Sequence, residues 1–215
     1  MALLVIGTSF HTADVSLREK FAFPESEIVP ALKELTNSVR GLTESVILST
    51  CNRTEIYCSI ERAAHENVVR WFLRNRKCAR KEFQSINYTY WDLEAAQHMM
   101  RVTSGLDSQV LGETQIAGQV KNAYDSSRRA DVLGPELSLL ESHALRTAKE
   151  VRSHTDIGRN SVSIAAAAVT TARQIFSDLS TTRALLVGAG NTIELVARHL
   201  RAAGVGQITV ANRSL

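Results

Sequence analysis

The chain has 215 residues, is 44% hydrophobic and 22% charged, and carries a formal net charge of +3. That balance is typical of a soluble globular protein with room for one large domain or two small ones. No run of 18 apolar residues marks a membrane span, and the opening Met1–Ile6 lacks a basic n-region, so it reads as a strand and not as a signal peptide. Three cysteines (Cys51, Cys58, Cys78) lack C-x-x-C or histidine-rich metal spacing, their odd count argues against a disulfide framework, and a reducing cytoplasmic setting is expected.

Residues 3–7 read as a strand ending at Gly7. A helix follows over 24–38, with Pro24 suited to its first turn and Ile28, Leu32 and Leu35 on one face. Strands are expected near 45–50 and 55–60, then a helix near 64–75 carrying Val68, Val69, Trp71 and Phe72. This alternation predicts a small mixed α/β unit. The basic cluster Arg70, Arg74, Arg76, Lys77, Arg80 and Lys81 offers phosphate contacts or, on the simpler reading, a solvated helix face. Between the two middle strands lies Ser49-Thr50-Cys51-Asn52-Arg53-Thr54-Glu55. A thiol two residues from a guanidinium is held toward its thiolate, the nucleophilic form, so Cys51 is a candidate covalent catalyst. A strand-end turn with an ordinary free thiol fits the same pattern.

From Asp92 onward the pattern turns helical. Asp92 is suited to cap a helix carrying Ala95, Ala96, Met99, Met100 and Val102 that stops near Gly105. Further helices are expected over 108–130, over 136–154 after the Gly134-Pro135 break, and over 161–177. The last segment changes character again: strand Ala184–Val187, the turn Gly188-Ala189-Gly190-Asn191-Thr192-Ile193, a helix through Ala203, and a second strand from Gln207 to Val210. A glycine pair between a strand and a helix lets backbone approach a pyrophosphate at the helix N-terminus. After the second strand, Ala211-Asn212-Arg213-Ser214 supplies no acid for a ribose hydroxyl but one arginine for a 2′-phosphate, which favours NADP over NAD. Two strands and one helix do not bury both faces of a sheet, so a truncated domain is expected here.

Ser49 through Tyr57 resemble the signature of the glutamyl-tRNA reductase family. So do Gly105-Leu106-Asp107-Ser108 with Leu111 through Ile116, then Gln119-Val120-Lys121, then Gly188 through Leu195 ending at Ala211–Ser214. Their order and spacing match across nearly the whole chain. The resemblance implies an α+β catalytic domain over 1–155, a small mixed α/β unit followed by helices. A connector helix over 156–180 joins it to an incomplete Rossmann-like α/β unit over 181–215. It implies NADPH-dependent reduction of glutamyl-tRNA to glutamate-1-semialdehyde through a thioester on Cys51, the first step of five-carbon tetrapyrrole (5-aminolevulinate, haem) biosynthesis. A chain with only part of the nucleotide domain is expected to form the thioester and hydrolyse it.

By the same resemblance, Cys51 and His98 are catalytic. Thr50, Asn52, Arg53, Ser108, Glu113, Thr114, Gln115 and Gln119 contact substrate, Arg53 as a carboxylate fork and Glu113 as partner of the ammonium. Gly188, Ala189, Gly190, Asn191, Thr192, Ile193, Asn212, Arg213 and Ser214 hold NADPH. The implied partners are glutamyl-tRNA, a second copy docking through a C-terminal region absent from this sequence, and a downstream aminomutase; no membrane is implied. The chain departs from the family in one loop, Ser9-Phe10-His11-Thr12-Ala13-Asp14, where the family has Asn-His-Lys-Thr-Ala-Pro. His11 and the four histidines other than His98 read as structural or exposed. Two other readings stay open: a cysteine hydrolase or acyltransferase, for which no Cys-His-Asn triad is evident, and a tRNA-binding module without reductase activity, for which stacking aromatics are sparse.

Overall fold

The computed structural model describes residues 1–158 and 164–213. These group into two compact units, one of residues 1–109 with 114–158, the other of residues 110–113 with 164–213.

The first unit is built on a four-stranded sheet of β1 (Ala2–Ser9), β2 (Leu42–Ser49), β3 (Arg53–Ile60) and β4 (Tyr88–Trp91). The order across it is β2-β3-β1-β4 and every neighbouring pair is antiparallel. Helices α1 (Val15–Phe21), α2 (Glu25–Ser38), α3 (His65–Arg76) and α4 (Arg80–Gln84) pack on one face, where Phe21, Leu32, Leu35, Phe72 and Phe83 meet Leu4, Ile6, Ile47, Ile56 and Cys58. Helices α5 (Asp92–Thr103), α6 (Gln115–Ala130) and α7 (Pro135–His154) cover the other, where Met99, Val102, Val120, Tyr124 and Leu140 meet Val5, Val46, Leu48 and Tyr57. The period-two alternation of side chains sends successive residues of each strand to opposite cores. With both faces covered, β3 is buried at all eight positions.

Several sequence expectations need correction. The first strand does not end at Gly7 but runs to Ser9, pairing with Arg53. Three short elements, α1, α4 and β4, escape a periodicity reading because each spans too few residues to show one. Asp92 does not cap α5: its φ is +47°, Trp91 holds the cap position, and the carboxylate instead accepts from Leu3 N at 3.0 Å. The helix expected from 108 starts only at Gln115, after a turn in which Gly112 has a φ of +78°. Three of the six residues of the basic cluster pair with carboxylates of this chain. Arg76 donates to Ala22 O at 2.7 Å and pairs with Glu27, Arg80 pairs with Glu66, and Arg74 lies 3.4 Å from Glu34.

The second unit contains α8 (Ile164–Ile175), β5 (Arg183–Val187), α9 (Asn191–Ala202) and β6 (Gln207–Ala211), with β5 and β6 parallel. Val169, Leu186, Val196 and Leu200 form its core. Leu185, Val187 and Val210 are exposed on the strands. No helix among the described residues is long and apolar enough to cross a membrane.

Candidate active site

Cys51 sits at the tip of the β2–β3 hairpin. Thr50 N donates to Arg53 O at 2.8 Å, and the Thr50 hydroxyl accepts from Asn52 N at 3.1 Å and Arg53 N at 3.2 Å. A threonine bonded to backbone two and three residues on closes a turn locally, which leaves Cys51-Asn52 as a two-residue loop. Two outside contacts tie that loop down: Phe10 N donates to Asn52 O at 2.8 Å and Arg18 Nε to Cys51 O at 3.3 Å. The Cys51 side chain is exposed, whereas Cys58 is buried and its thiol pushed up by that burial.

Arg53 pairs with carboxylates. Its side chain is 2% exposed, with Nη1 2.8 Å from Glu55 Oε1 and Nη2 3.0 Å from Asp107 Oδ2; Nη2 also donates to Asp107 O. The guanidinium is thus paired with two carboxylates, Glu55 and Asp107. Glu55 is fully buried and accepts from four groups: Arg53, Tyr57 OH at 2.6 Å, Tyr88 OH, and His98, whose Nε2 lies 2.8 Å away. Burial alone would raise the Glu55 carboxyl, but Arg53 and then His98 and Tyr57 outweigh it and hold it at about 2. An ionised carboxylate only accepts, so Nε2 of His98 carries the hydrogen of this contact.

Local sequence explains how these groups converge. Arg53, Glu55 and Tyr57 stand at i, i+2 and i+4 of one strand and so share a face. Gly7 on β1 pairs with Glu55 on one side and Tyr88 on the other. A Cβ there would stand 2.8 Å from Glu55 Cγ and 2.5 Å from Thr54 O, so the missing side chain lets Glu55 and Tyr88 meet across the strand. On α5, His98 and Arg101 are one turn apart. The helix ends at Gly105, with a φ of +75°, and Leu106 N donates back to Arg101 O at 3.0 Å. This glycine-dependent C-terminal motif turns the chain so that Asp107 meets Arg53. A cavity of about 390 Å³ opens beside the network, lined by Ser9, His11, Tyr88, His98, Arg101 and Asp107 among others.

Of the residues singled out from sequence, the structure brings Arg53 and His98 together through Glu55. Ser108, half-buried, follows Asp107, while Thr114 and Gln115 are exposed at the start of α6. Gln119, one turn further, lines a different cavity of about 410 Å³ whose wall includes Ser49, the residue before Thr50. Glu113 belongs to the second unit, where its N–H donates to Val110 O at 3.1 Å. Sequence reasoning missed Glu55, Tyr57, Tyr88 and Asp107 as site members. The available signal was polar residues recurring every second position inside an otherwise apolar strand.

In the second unit, Gly188 has a φ of +113° and its N–H donates to Ala211 O at 2.7 Å. A Cβ on Gly190 would meet nothing within 4 Å, so the mouth of the β5–α9 turn is open to a ligand. Thr192 is exposed, Ile193 packs into the core, Asn212 and Arg213 are exposed after β6, and Ser214 lies outside the described residues.

The first unit is therefore a mixed α/β protein that presents one exposed cysteine on a hydrogen-bonded hairpin tip, two residues before the arginine of a buried Arg–Glu–His network. Comparison with known proteins gives this class a family. The model of the glutamyl-tRNA(Glu) reductase N-terminal domain matches residues 6–155, and that of shikimate/quinate 5-dehydrogenase matches residues 170–215. Glutamyl-tRNA reductase of Chromohalobacter salexigens is 50% identical over 214 residues, covering 100% of this chain and 50% of the relative. That of Pseudomonas aeruginosa is 47% identical over 215 residues, covering 100% of this chain and 51% of the relative. The solved glutamyl-tRNA reductase from Methanopyrus kandleri superposes with a TM-score of 0.66 at 33% identity, over 99% of this chain and 49% of that one. The chain belongs to the glutamyl-tRNA reductase family, and it spans about half the length of the curated relatives it matches.

Proposed function

We propose that this chain carries the acyl-transfer half of glutamyl-tRNA reduction. The observation behind this is an exposed thiol held by backbone hydrogen bonds at a hairpin tip, within the region matching the reductase N-terminal domain. The Cys51 thiolate attacks the carbonyl carbon of the glutamyl ester. The C–O bond to the terminal ribose breaks, that oxygen takes a proton as free tRNA leaves, and a thioester remains on the sulfur. Separating acyl transfer from the later step is the usual gain from a covalent intermediate. In this reading Arg53 takes the substrate carboxylate, with Thr50, Asn52 and Ser108 as further polar contacts and Thr114, Gln115 and Gln119 assigned to other parts of the substrate. His98, its Nε2–H fixed on Glu55, presents Nδ1 as the group that accepts or relays a proton.

The β5–α9–β6 segment reads as the first part of a Rossmann-like unit, preceded by α8 as connector. The open turn at Gly190, the left-handed Gly188 and the N-terminus of the twelve-residue α9 fit a pyrophosphate, and Arg213 fits a 2′-phosphate. These residues would hold NADPH, which would supply the hydride that reduces a thioester carbonyl to the aldehyde, the C–S bond breaking and the electron pair returning to sulfur as thiolate. Homodimerisation, an aminomutase partner and a cytoplasmic setting belong to the same proposal.

To test this, the protein is mixed with glutamyl-tRNA labelled in the amino acid, quenched in acid, and assayed for protein-bound label released by hydroxylamine. Label on the wild type and none on Cys51→Ala is the expected result. Tight tRNA binding with no label on the wild type would leave a binding module and refute acyl transfer.

A further inference from the structure

We propose that Asp107 is an internal stand-in for the substrate carboxylate, seated on Arg53 until substrate displaces it onto Arg101 and His11. This rests on the reading of Arg53 as the carboxylate receptor. Nη1 of Arg53 is spent inward on the buried Glu55. Nη2 carries two hydrogens, and Asp107 takes both, one through its main-chain carbonyl and one through Oδ2 at 3.0 Å. A substrate carboxylate reaching Nη2 must therefore replace Oδ2, while the main-chain contact can persist and keep the guanidinium in place. Asp107 stands on the cavity wall with 16% of its side chain exposed, so the exchange happens at an accessible surface. A second seat is at hand: Oδ1 already lies 3.6 Å from His11 Nε2 and 3.9 Å from Arg101 Nη2, both on side chains more than half exposed. A glutamate side chain bears the same carboxylate one methylene further out, and the adjoining cavity of about 390 Å³ is ample for it. The Arg53 seat is thus occupied by a ligand of the right chemistry supplied by the chain itself, and binding is a competition between two carboxylates.

The competition gives opposite signs for two substitutions. Asp107→Asn leaves a weaker neutral acceptor on Nη2, so the glutamyl-tRNA concentration for half-maximal Cys51 acylation falls roughly 3- to 10-fold. Arg101→Gln, at an exposed position, removes the second seat and raises that concentration. In the Asp107→Asn background the Arg101 effect disappears, because no charged carboxylate then needs reseating. If Asp107 only props Arg53, Asp107→Asn raises the half-saturating concentration; if Arg101 only attracts RNA, its effect persists in the double variant. Either result overturns the proposal. Wild-type protein that takes no label overturns the acyl-transfer reading itself, whereas labelled wild type with the wrong sign for Asp107→Asn overturns the stand-in alone.

Discussion

Replacing Glu55 by glutamine preserves shape and removes one buried negative charge. Glu55 is fully buried and accepts from Arg53, Tyr57, Tyr88 and His98. Its carboxyl sits at about 2 against an ordinary 4.5, equivalent to about 3 kcal/mol in favour of the ionised folded form at neutral pH. The same change leaves a guanidinium 2% exposed with only Asp107 to balance it, and half-breaking a buried pair costs about 3–5 kcal/mol. Urea unfolding at pH 7 should therefore show Glu55→Gln less stable by about 3–4 kcal/mol, a large share of the roughly 5–15 kcal/mol typical of a domain. The pH dependence carries the sign. A carboxyl lowered on folding contributes fully above its unfolded value and loses that contribution as pH falls from about 4.5 toward 2. The wild-type and variant curves should converge over that window. A deficit below about 1 kcal/mol at pH 7, or one that stays constant on acidification, would show that Glu55 is not the charged centre of the network.

Three further substitutions probe the frame around the site. Gly7→Ala places a methyl 2.5 Å from Thr54 O and 2.8 Å from Glu55 Cγ; it should cost about 1–3 kcal/mol of stability and shift a tyrosine absorbance signal as Tyr88 parts from Glu55, and an unchanged unfolding midpoint would contradict the tight approach. Arg53→Lys keeps the charge but cannot serve Glu55 and Asp107 together; acylation of Cys51 should fall about 10-fold or more, close to 1.4 kcal/mol of transition-state stabilisation, and wild-type acylation would remove Arg53 from the substrate contacts. Glu44 accepts from Glu136 N at 3.2 Å and Leu137 N at 2.8 Å, satisfying the first turn of α7. Glu44→Ala should cost about 1–2 kcal/mol in thermal or urea unfolding, and no loss would mean that water serves those donors equally well.

Long elements were legible because their patterns repeat often enough to be read. Ile28, Leu32 and Leu35 mark the inner face of α2, and Ala95, Met99 and Val102 that of α5. Strand β4 was not legible: Tyr88 to Trp91 are all half-buried, at the sheet edge, with no alternation to see. Asp92 misled for a physical reason. An aspartate before an apolar helical stretch has the composition of a cap, but this one takes a left-handed φ and turns its carboxylate to Leu3, a partner 89 residues away. Long-range partners of this kind leave no trace in local sequence.

The relation between Cys51 and Arg53 shows the same limit at the site itself. Two positions apart in the chain, they look like a thiol and its activating cation. A strand reverses side-chain direction at every residue, and Arg53 is the first residue of β3 whereas Cys51 is in the turn. The guanidinium therefore follows the strand's inward face to Glu55 and Asp107, while the sulfur stays with the hairpin tip. The loop backbone is held by the Arg18 guanidinium at Cys51 O and by Phe10 at Asn52 O. On the proposed function a division of labour follows: the hairpin fixes where Cys51 stands, and the Arg53–Glu55 pair holds His98 and Asp107, which line the cavity of about 390 Å³. Substitutions at Arg53 should then act on substrate affinity and orientation, leaving the reaction of Cys51 with a small uncharged alkylating reagent such as iodoacetamide within about twofold of wild type. A tenfold slower alkylation in Arg53→Lys would restore the guanidinium to the thiol and undo this separation.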